Sequence, residues 1–169
     1  MQGNILFLAV GTGLDIACFP SGQQITGIDI SPKMLEKARP RVESYSGQMT
    51  VRQMDVHEMD FADATFDQVY TSCTFCSVPD PVKGLTELHR VLKPGGLLLF
   101  AESTRAYIYS WTIRYLFRHP MDMQKSASEY LTLIKSAGFR IGENSISLPY
   151  LWWSRPELGI VERWFGGKP

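Results

Sequence analysis

Ile5-Leu6-Phe7-Leu8-Ala9-Val10-Gly11-Thr12-Gly13 decides how the rest of the chain is read. A short apolar run that stops abruptly at two glycines has the signature of a buried strand entering a sharp turn. Glycine lacks a Cβ and takes positive φ, so Gly11 and Gly13 let the backbone of that turn approach a ligand closely. A helix beginning near Leu14 would point its free N–H groups and positive dipole end into the same space, where a carboxylate or phosphate is stabilised.

Working outward, a second run from Gln24 to Ile30 carries Asp29 at its end and leads into Ser31-Pro32. Serine is a good N-cap and proline suits the first helical position, so a helix is predicted there, with Met34, Leu35, Ala38 and Val42 on one face. Pro40 is expected to kink or stop it. Further strands are predicted over Met49 to Met54, Phe66 to Ser72 and Leu97 to Glu102. The helix before the last of these places Leu85, Leu88, Val91 and Leu92 at three- and four-residue spacing and closes at Lys93-Pro94-Gly95-Gly96. Ser126 to Ala137 reads as an amphipathic helix with Tyr130, Leu131, Ile134 and Ala137 inward and Gly138 as its stop, ahead of a β-like stretch from Phe139 to Leu148. Strands alternating with helices predict an α/β fold: a Rossmann-like, doubly wound, mostly parallel sheet with helices on both faces and an antiparallel late strand.

The 169 residues suffice for a single domain spanning 1–169. Lys plus Arg and Asp plus Glu balance at 17 each, which removes the surplus positive charge that a nucleic-acid backbone rewards, so nucleic acid is not an expected partner. Three cysteines and no cleavable leader pattern fit a reducing, cytoplasmic location. No apolar run approaches the roughly 20 residues that a membrane-spanning helix needs.

In an open α/β sheet, ligands bind outside the carboxyl ends of the strands. Asp29 at the end of the second strand can accept hydrogen bonds from both hydroxyls of a ribose, and Asp55, just past the third, can orient an adenine amino group while Val56 offers its backbone N–H. Charge-assisted bonds of that kind contribute on the order of 1.5–3 kcal/mol. Asp29→Ala is therefore expected to weaken cofactor binding by about that amount while leaving folding little changed. Each acid, taken singly, could equally be a helix cap or a solvated loop charge.

Ala9-Val-Gly-Thr-Gly-Leu-Asp15, Ile25-Thr-Gly-Ile-Asp-Ile-Ser-Pro-Lys-Met-Leu-Glu-Lys-Ala-Arg39 and Leu88-His-Arg-Val-Leu-Lys-Pro-Gly-Gly-Leu-Leu-Leu99 together resemble the class I S-adenosylmethionine-dependent methyltransferases, over roughly residues 4 to 103. Within them, Thr74-Phe-Cys-Ser-Val-Pro-Asp-Pro81 is similar to the branch of phospholipid, quinone and methyltransferase-like thiol methyltransferases. The resemblance implies S-adenosyl-L-methionine as cofactor and a cofactor-binding half over about 1–103, with a variable substrate and lid region over about 104–169. It implies that Ala9, Gly11 and Gly13 line the methionine portion, Asp29 holds the ribose, Ile30 and Met34 flank the adenine, and Asp55 and Val56 meet its edge. Thr71, Ser72 and Cys73 would face the methionine and the acceptor, Asp67 would be a structural acid, and His89 with Lys93–Gly96 would belong to the scaffold.

The sequence departs from the family in three places. Phe7 stands where an acidic residue usually helps hold the methionine amino group, and Ala9 replaces the first glycine of the loop. The first strand begins almost at Met1, where relatives carry several tens of residues that cover the site, so a fragment, or cover supplied from elsewhere, is expected. These departures keep open a cofactor-binding or interaction domain that has lost turnover. A nicotinamide-dependent oxidoreductase fits less well, because its turn needs a third glycine where Ile16 stands.

The expected reaction is methyl transfer to a small or lipid-like acceptor by in-line displacement, in which positioning dominates and no catalytic base is singled out. His57, His89 and His119 read as surface or satisfied histidines, and Cys73 and Cys76 as buried, unreactive thiols without the second pair a structural zinc site needs. Tyr107, Tyr109, Trp111, Tyr115 and Phe117 are candidates for an aromatic lid or, equally, for completing the core. Tyr150-Leu-Trp-Trp153 with Trp164 and Phe165 is a candidate surface for a homo-oligomer, a membrane surface or a further N-terminal segment, and equally for packing in the core.

Overall fold

The structure, a computed structural model, describes residues 3–103, 125–141, 146–148 and 161–167. Five parallel strands form the body of one sheet: β1 (Asn4–Leu8), β2 (Gln24–Asp29), β3 (Gln48–Gln53), β4 (Phe66–Ser72) and β5 (Leu92–Ser103). Three short strands follow, β6 (Arg140–Ile141), β7 (Ile146–Leu148) and β8 (Val161–Gly167). The order across the sheet is β3-β2-β1-β4-β5-β8-β6, with β7 also paired to β8. The expected doubly wound architecture is thus present, and its order reverses between β1 and β4, where such sheets open their crevice.

Alternation along the central strands builds two cores. Ile5, Phe7 and Ile25 face a layer formed by α1 (Pro32–Glu43) and the short turn before β2. Leu6, Leu8, Ile28, Val69, Leu98 and Phe100 face α2 (Pro81–Val91) and α3 (Ala127–Ser136) on the other side. A strand buried on both faces reads as an unbroken apolar run, which is why Ile5–Leu8 carries no polar residue. Gly27 sits where two layers close: a Cβ there would lie 2.6 Å from Val10 Cγ2 and 3.0 Å from Val51 Cγ1.

The helix starts follow their caps. Ser31 Oγ accepts from Met34 N, Asp80 Oδ1 from Lys83 N, and Ser126 and Glu129 form a reciprocal capping box. Ala38 in α1, Leu85, Leu88 and Val91 in α2, and Tyr130 and Ile134 in α3 are buried as the periodicity predicts.

Four expectations are corrected. The segment after Gly13 is a five-residue 3-10 helix, Leu14–Cys18, so no α-helical N-terminus with its summed dipole faces the glycine turn. α1 runs through Pro40, which lies on its exposed face, to Glu43, so Pro40 does not stop the helix there. Met34 is 41% exposed, whereas Leu35 and Val42 pack against the core. The sheet is completed by β8, antiparallel to β5 over Leu97↔Gly167 to Ser103↔Val161, and the late stretch divides into β6 and β7, which pair with β8 and not with β5.

Candidate functional site

Parallel strands β3, β2, β1 and β4 end side by side, so the loops that leave them share one edge of the sheet. After β1 the chain passes through Ala9 at φ 56°, Gly11 at φ 56° and Gly13 at φ 79°, turning sharply enough for Gly13 N–H to donate to Val10 O at 2.9 Å. Ala9 thus holds the left-handed geometry that glycine adopts without cost. A Cβ on Gly11 would meet nothing nearer than Ala9 O at 4.0 Å, so this turn faces open space.

Asp29 is bound to that turn. Its Oδ2 accepts Gly11 N–H at 2.8 Å and its Oδ1 accepts Ser31 N–H at 2.8 Å, while its side chain keeps only a narrow opening to solvent. Two N–H bonds leave one lone pair free on each oxygen, aimed away from the backbone donors. Ile30 is 65% exposed, and Met34 and Leu14 are exposed as well. Ile30, next to Asp29 in the chain, thus sets a large exposed apolar side chain beside a nearly buried carboxylate.

Asp55 lies beyond β3 with its carboxylate directed to His57: Oδ1 accepts His57 N–H at 2.8 Å and lies 2.7 Å from His57 Nδ1. The His57 backbone N–H is the main cause holding the Asp55 carboxyl below its usual value, and the imidazole adds to it. His57 Nε2 in turn reaches Asp80 O at 3.1 Å, so this acid and histidine tie the loop after β3 to the start of α2. His57, read from sequence as a surface or satisfied histidine, is a satisfied one, and its two ring contacts place Asp55. Val56 turns its side chain into the core beneath.

On the far side, Thr71 is fully buried and donates its hydroxyl to Thr74 Oγ1 at 2.9 Å, while Ser72 O accepts from Thr74 Oγ1 at 3.0 Å. Cys73 is exposed at φ 49°, which corrects the expectation of a buried thiol, and its N–H donates to Ala101 O at 2.8 Å. Cys76 is half-buried, and burial, with the nearby Glu102 carboxyl, pushes its thiol up to about 11, leaving little thiolate near neutrality. Glu102 itself was legible only as the end of a strand. It is wholly buried and accepts Thr74 N–H at 2.6 Å and Phe75 N–H at 2.7 Å. A charged residue closing the run Leu97-Leu98-Leu99-Phe100-Ala101 was the signal available for it.

Asp67 behaves as the structural acid it was taken to be, accepting from Asn4 N–H at 2.8 Å and Lys93 Nζ at 2.7 Å. The structure thus joins the turn Ala9–Gly13 to Asp29 through Gly11 N–H, with Ile30 next in the chain and Met34 N–H on the Ser31 cap that follows, while Gly13 lies against Ile16 and Ala38. Asp55 forms a second station along the edge, and Ser72 and Cys73 a third over β4. The proposed aromatic lid, His119 and Tyr150–Trp153 lie outside the described residues.

The sequence model described as a methyltransferase domain matches residues 6–100, more than half of the chain. The chain belongs to the methyltransferase-domain family. This methyltransferase domain is 41% identical over 106 residues to the ubiquinone/menaquinone biosynthesis C-methyltransferase UbiE of Geobacter sp., covering 59% of this chain and 45% of that protein. It is 40% identical over 96 residues to the phosphatidylethanolamine N-methyltransferase of Cereibacter sphaeroides, covering 56% and 47%. The matched part therefore spans about half the length of these curated relatives. In fold it is similar to a SAM-dependent methyltransferase from Methanosarcina mazei, with a TM-score of 0.76 at 22% identity, over 99% of this chain and 92% of that one. No helix among the described residues is long and apolar enough to cross a membrane.

Proposed function

We propose that this methyltransferase domain binds S-adenosyl-L-methionine at the edge formed by β1, β2 and β3 and transfers its methyl group to a small or lipid-like acceptor. The observation that carries the reading is Asp29: a nearly buried carboxylate fixed by Gly11 and Ser31 N–H, with a lone pair left on each oxygen and exposed Ile30 and Met34 beside it. Two acceptor positions suit the two hydroxyls of a ribose, and a flat adenine suits exposed Ile30 and Met34. Asp55, held by His57, stands further along the same edge for the base amino group, with Val56 N–H beside it. Ala9, Gly11 and Gly13 would take the methionine portion, and Ser72 and Cys73 would border the acceptor, with Thr71 setting their turn from below.

The cofactor supplies a methyl group on a sulfonium, an already activated leaving group. What the chain must add is position, which is worth roughly 7–11 kcal/mol of a barrier when the reacting atoms are held in line. A protein base is required only for an acceptor atom that carries a tightly held proton. The quinone and phospholipid activities in the names of the relatives support a lipid-like acceptor here.

One observation favours a second reading, a domain that binds but does not turn over. Phe7 is packed with Phe19 and Tyr70 at ring separations of 5.2–5.4 Å, so an aromatic cluster fills the position from which the family's acid reaches the methionine amino group. Calorimetry with S-adenosylhomocysteine and transfer of a labelled methyl group to demethylmenaquinone or phosphatidylethanolamine vesicles separate the two. Binding with transfer is the expected result, binding without transfer selects the second reading, and absence of binding refutes both.

A further inference from the structure

The turn after β4 is held from beneath by one side chain. Glu102 leaves the end of β5, is fully buried, and places Oε1 within hydrogen-bond distance of two successive backbone N–H groups, those of Thr74 and Phe75. Cys73 N–H donates to Ala101 O one residue earlier in β5, and the Thr71 and Thr74 hydroxyls close the turn internally. Cys73 lies between these attachments at φ 49°. A backbone conformation that costs an alanine-like residue free energy persists only where its surroundings over-determine it, and Glu102 and Ala101 are those surroundings.

We infer that Glu102 is a positioning residue, whose buried carboxyl clamps the turn Cys73–Cys76 against the end of β5 and so fixes the edge of the crevice beside the methyl acceptor. The inference takes its acceptor from the function proposed above, but the clamp itself is a property of the fold. Glu102 is wholly buried beneath the turn and presents no surface to the crevice.

The clamp has a built-in dependence on pH. Burial pushes the Glu102 carboxyl up to about 7, against the lowering effect of the Phe75 and Thr74 N–H bonds and of the Cys76 backbone and thiol. Oε2 has no hydrogen-bond partner among the described residues, and neither has the buried Tyr130 hydroxyl on α3. Among the described side chains, the ionisable groups around it are Cys73 and Cys76 in the turn, Tyr130 on α3 and Lys125 just before it. Because the clamped carboxyl binds its proton more tightly than a solvated one, opening the turn becomes easier as pH rises from the ordinary carboxyl value of 4.5 to about 7. Above that the dependence ends.

Alkylation of Cys76 by iodoacetamide, resolved by peptide mass spectrometry and corrected for thiolate fraction, reads the opening of this turn. The wild-type rate is expected to rise about tenfold or more between pH 5 and pH 7 and then level. Glu102→Gln keeps the acceptor oxygen and removes the proton, so its corrected rate should be flat with pH. Glu102→Ala leaves both N–H groups without their acceptor and should label about tenfold faster than Glu102→Gln at any pH. An unchanged rate in Glu102→Ala, or a pH dependence that survives in Glu102→Gln, overturns the inference. If Glu102→Ala does not fold, the pH profile of Glu102→Gln decides alone. S-adenosylhomocysteine affinity measured on the same proteins should stay within about twofold, since Asp29 lies on the other side of the crevice. Loss of that affinity in wild type refutes the proposed function without touching the clamp.

Discussion

Replacing Asp29 by alanine should unfold the site as well as empty it. The sequence alone suggested a ribose ligand whose loss leaves folding intact. In the structure both oxygens are already engaged, with Gly11 N–H and Ser31 N–H at 2.8 Å each. Hydrogen bonds to a charged group contribute about 1.5–3 kcal/mol apiece, and partial access of water to the freed N–H groups lowers the sum to about 2–4 kcal/mol. For a chain of this size each kcal/mol shifts the melting temperature by about 2–4 °C, so Asp29→Ala should melt roughly 5–15 °C lower without any ligand present. Asp29→Asn keeps one acceptor oxygen but turns an NH2 toward the other donor, so it should fall between wild type and alanine. Differential scanning fluorimetry with and without S-adenosylhomocysteine separates the two duties of the side chain. A melting temperature within about 2 °C of wild type in the unliganded alanine variant would refute a structural role for the Asp29 bonds to Gly11 and Ser31 and restore the simpler view of Asp29 as a ligand-only residue.

Ala9→Gly removes a Cβ from a left-handed residue, a relief of about 1–2 kcal/mol, and adds a backbone-entropy cost of about 0.5–1 kcal/mol. The variant should be equal or slightly more stable in urea denaturation, and a loss of more than about 1 kcal/mol would show that the alanine methyl is needed for packing. Arg90 donates to Met59 O, Phe61 O, Asp63 and both oxygens of Glu87, joining α2 to the loop after β3. Arg90→Lys offers a point charge in place of a planar fork, so it should cost about 1–3 kcal/mol by denaturant titration. A change under about 0.5 kcal/mol would mean that the loop holds without it.

The parts of this fold that were legible are those fixed by neighbours in sequence. β4 falls where Phe66 to Ser72 was read, and α1 and α3 begin at Ser31 and Ser126 because a serine cap is a local device. The 3-10 helix after Gly13 was missed because its length is set by the few residues available before β2, not by propensity. β8 was missed for a different reason. Val161-Glu162-Arg163-Trp164-Phe165 lacks clean alternation, and its place in the sheet comes from pairing with β5, which lies far away in sequence.

The site divides along the same line. Asp29 was found as an acid at a strand end, but that its carboxylate reaches back to Gly11, 18 residues earlier, is a matter of two strands lying side by side. Glu102 was passed over because a single acid at the end of an apolar strand carries no motif, and its partners 27 and 28 residues away become visible only once β4 and β5 are paired.

The two carboxyl groups use one device on the two sides of the crevice. Each takes a pair of backbone N–H groups, and each holds a turn containing a residue at positive φ, Gly11 in one and Cys73 in the other. Exposure separates their duties. Asp29 borders the crevice and keeps a lone pair on each oxygen, so a ligand hydroxyl can be added without breaking the turn. Glu102 is sealed under its turn, so anything that draws on its free oxygen must first open the turn. A ligand on the Asp29 side should therefore reinforce a turn that is already made, raising its melting temperature with little change in shape. A rise in pH from the ordinary carboxyl value of 4.5 to about 7 should loosen the Glu102 side, where a buried acid that loses its proton gains by reaching water.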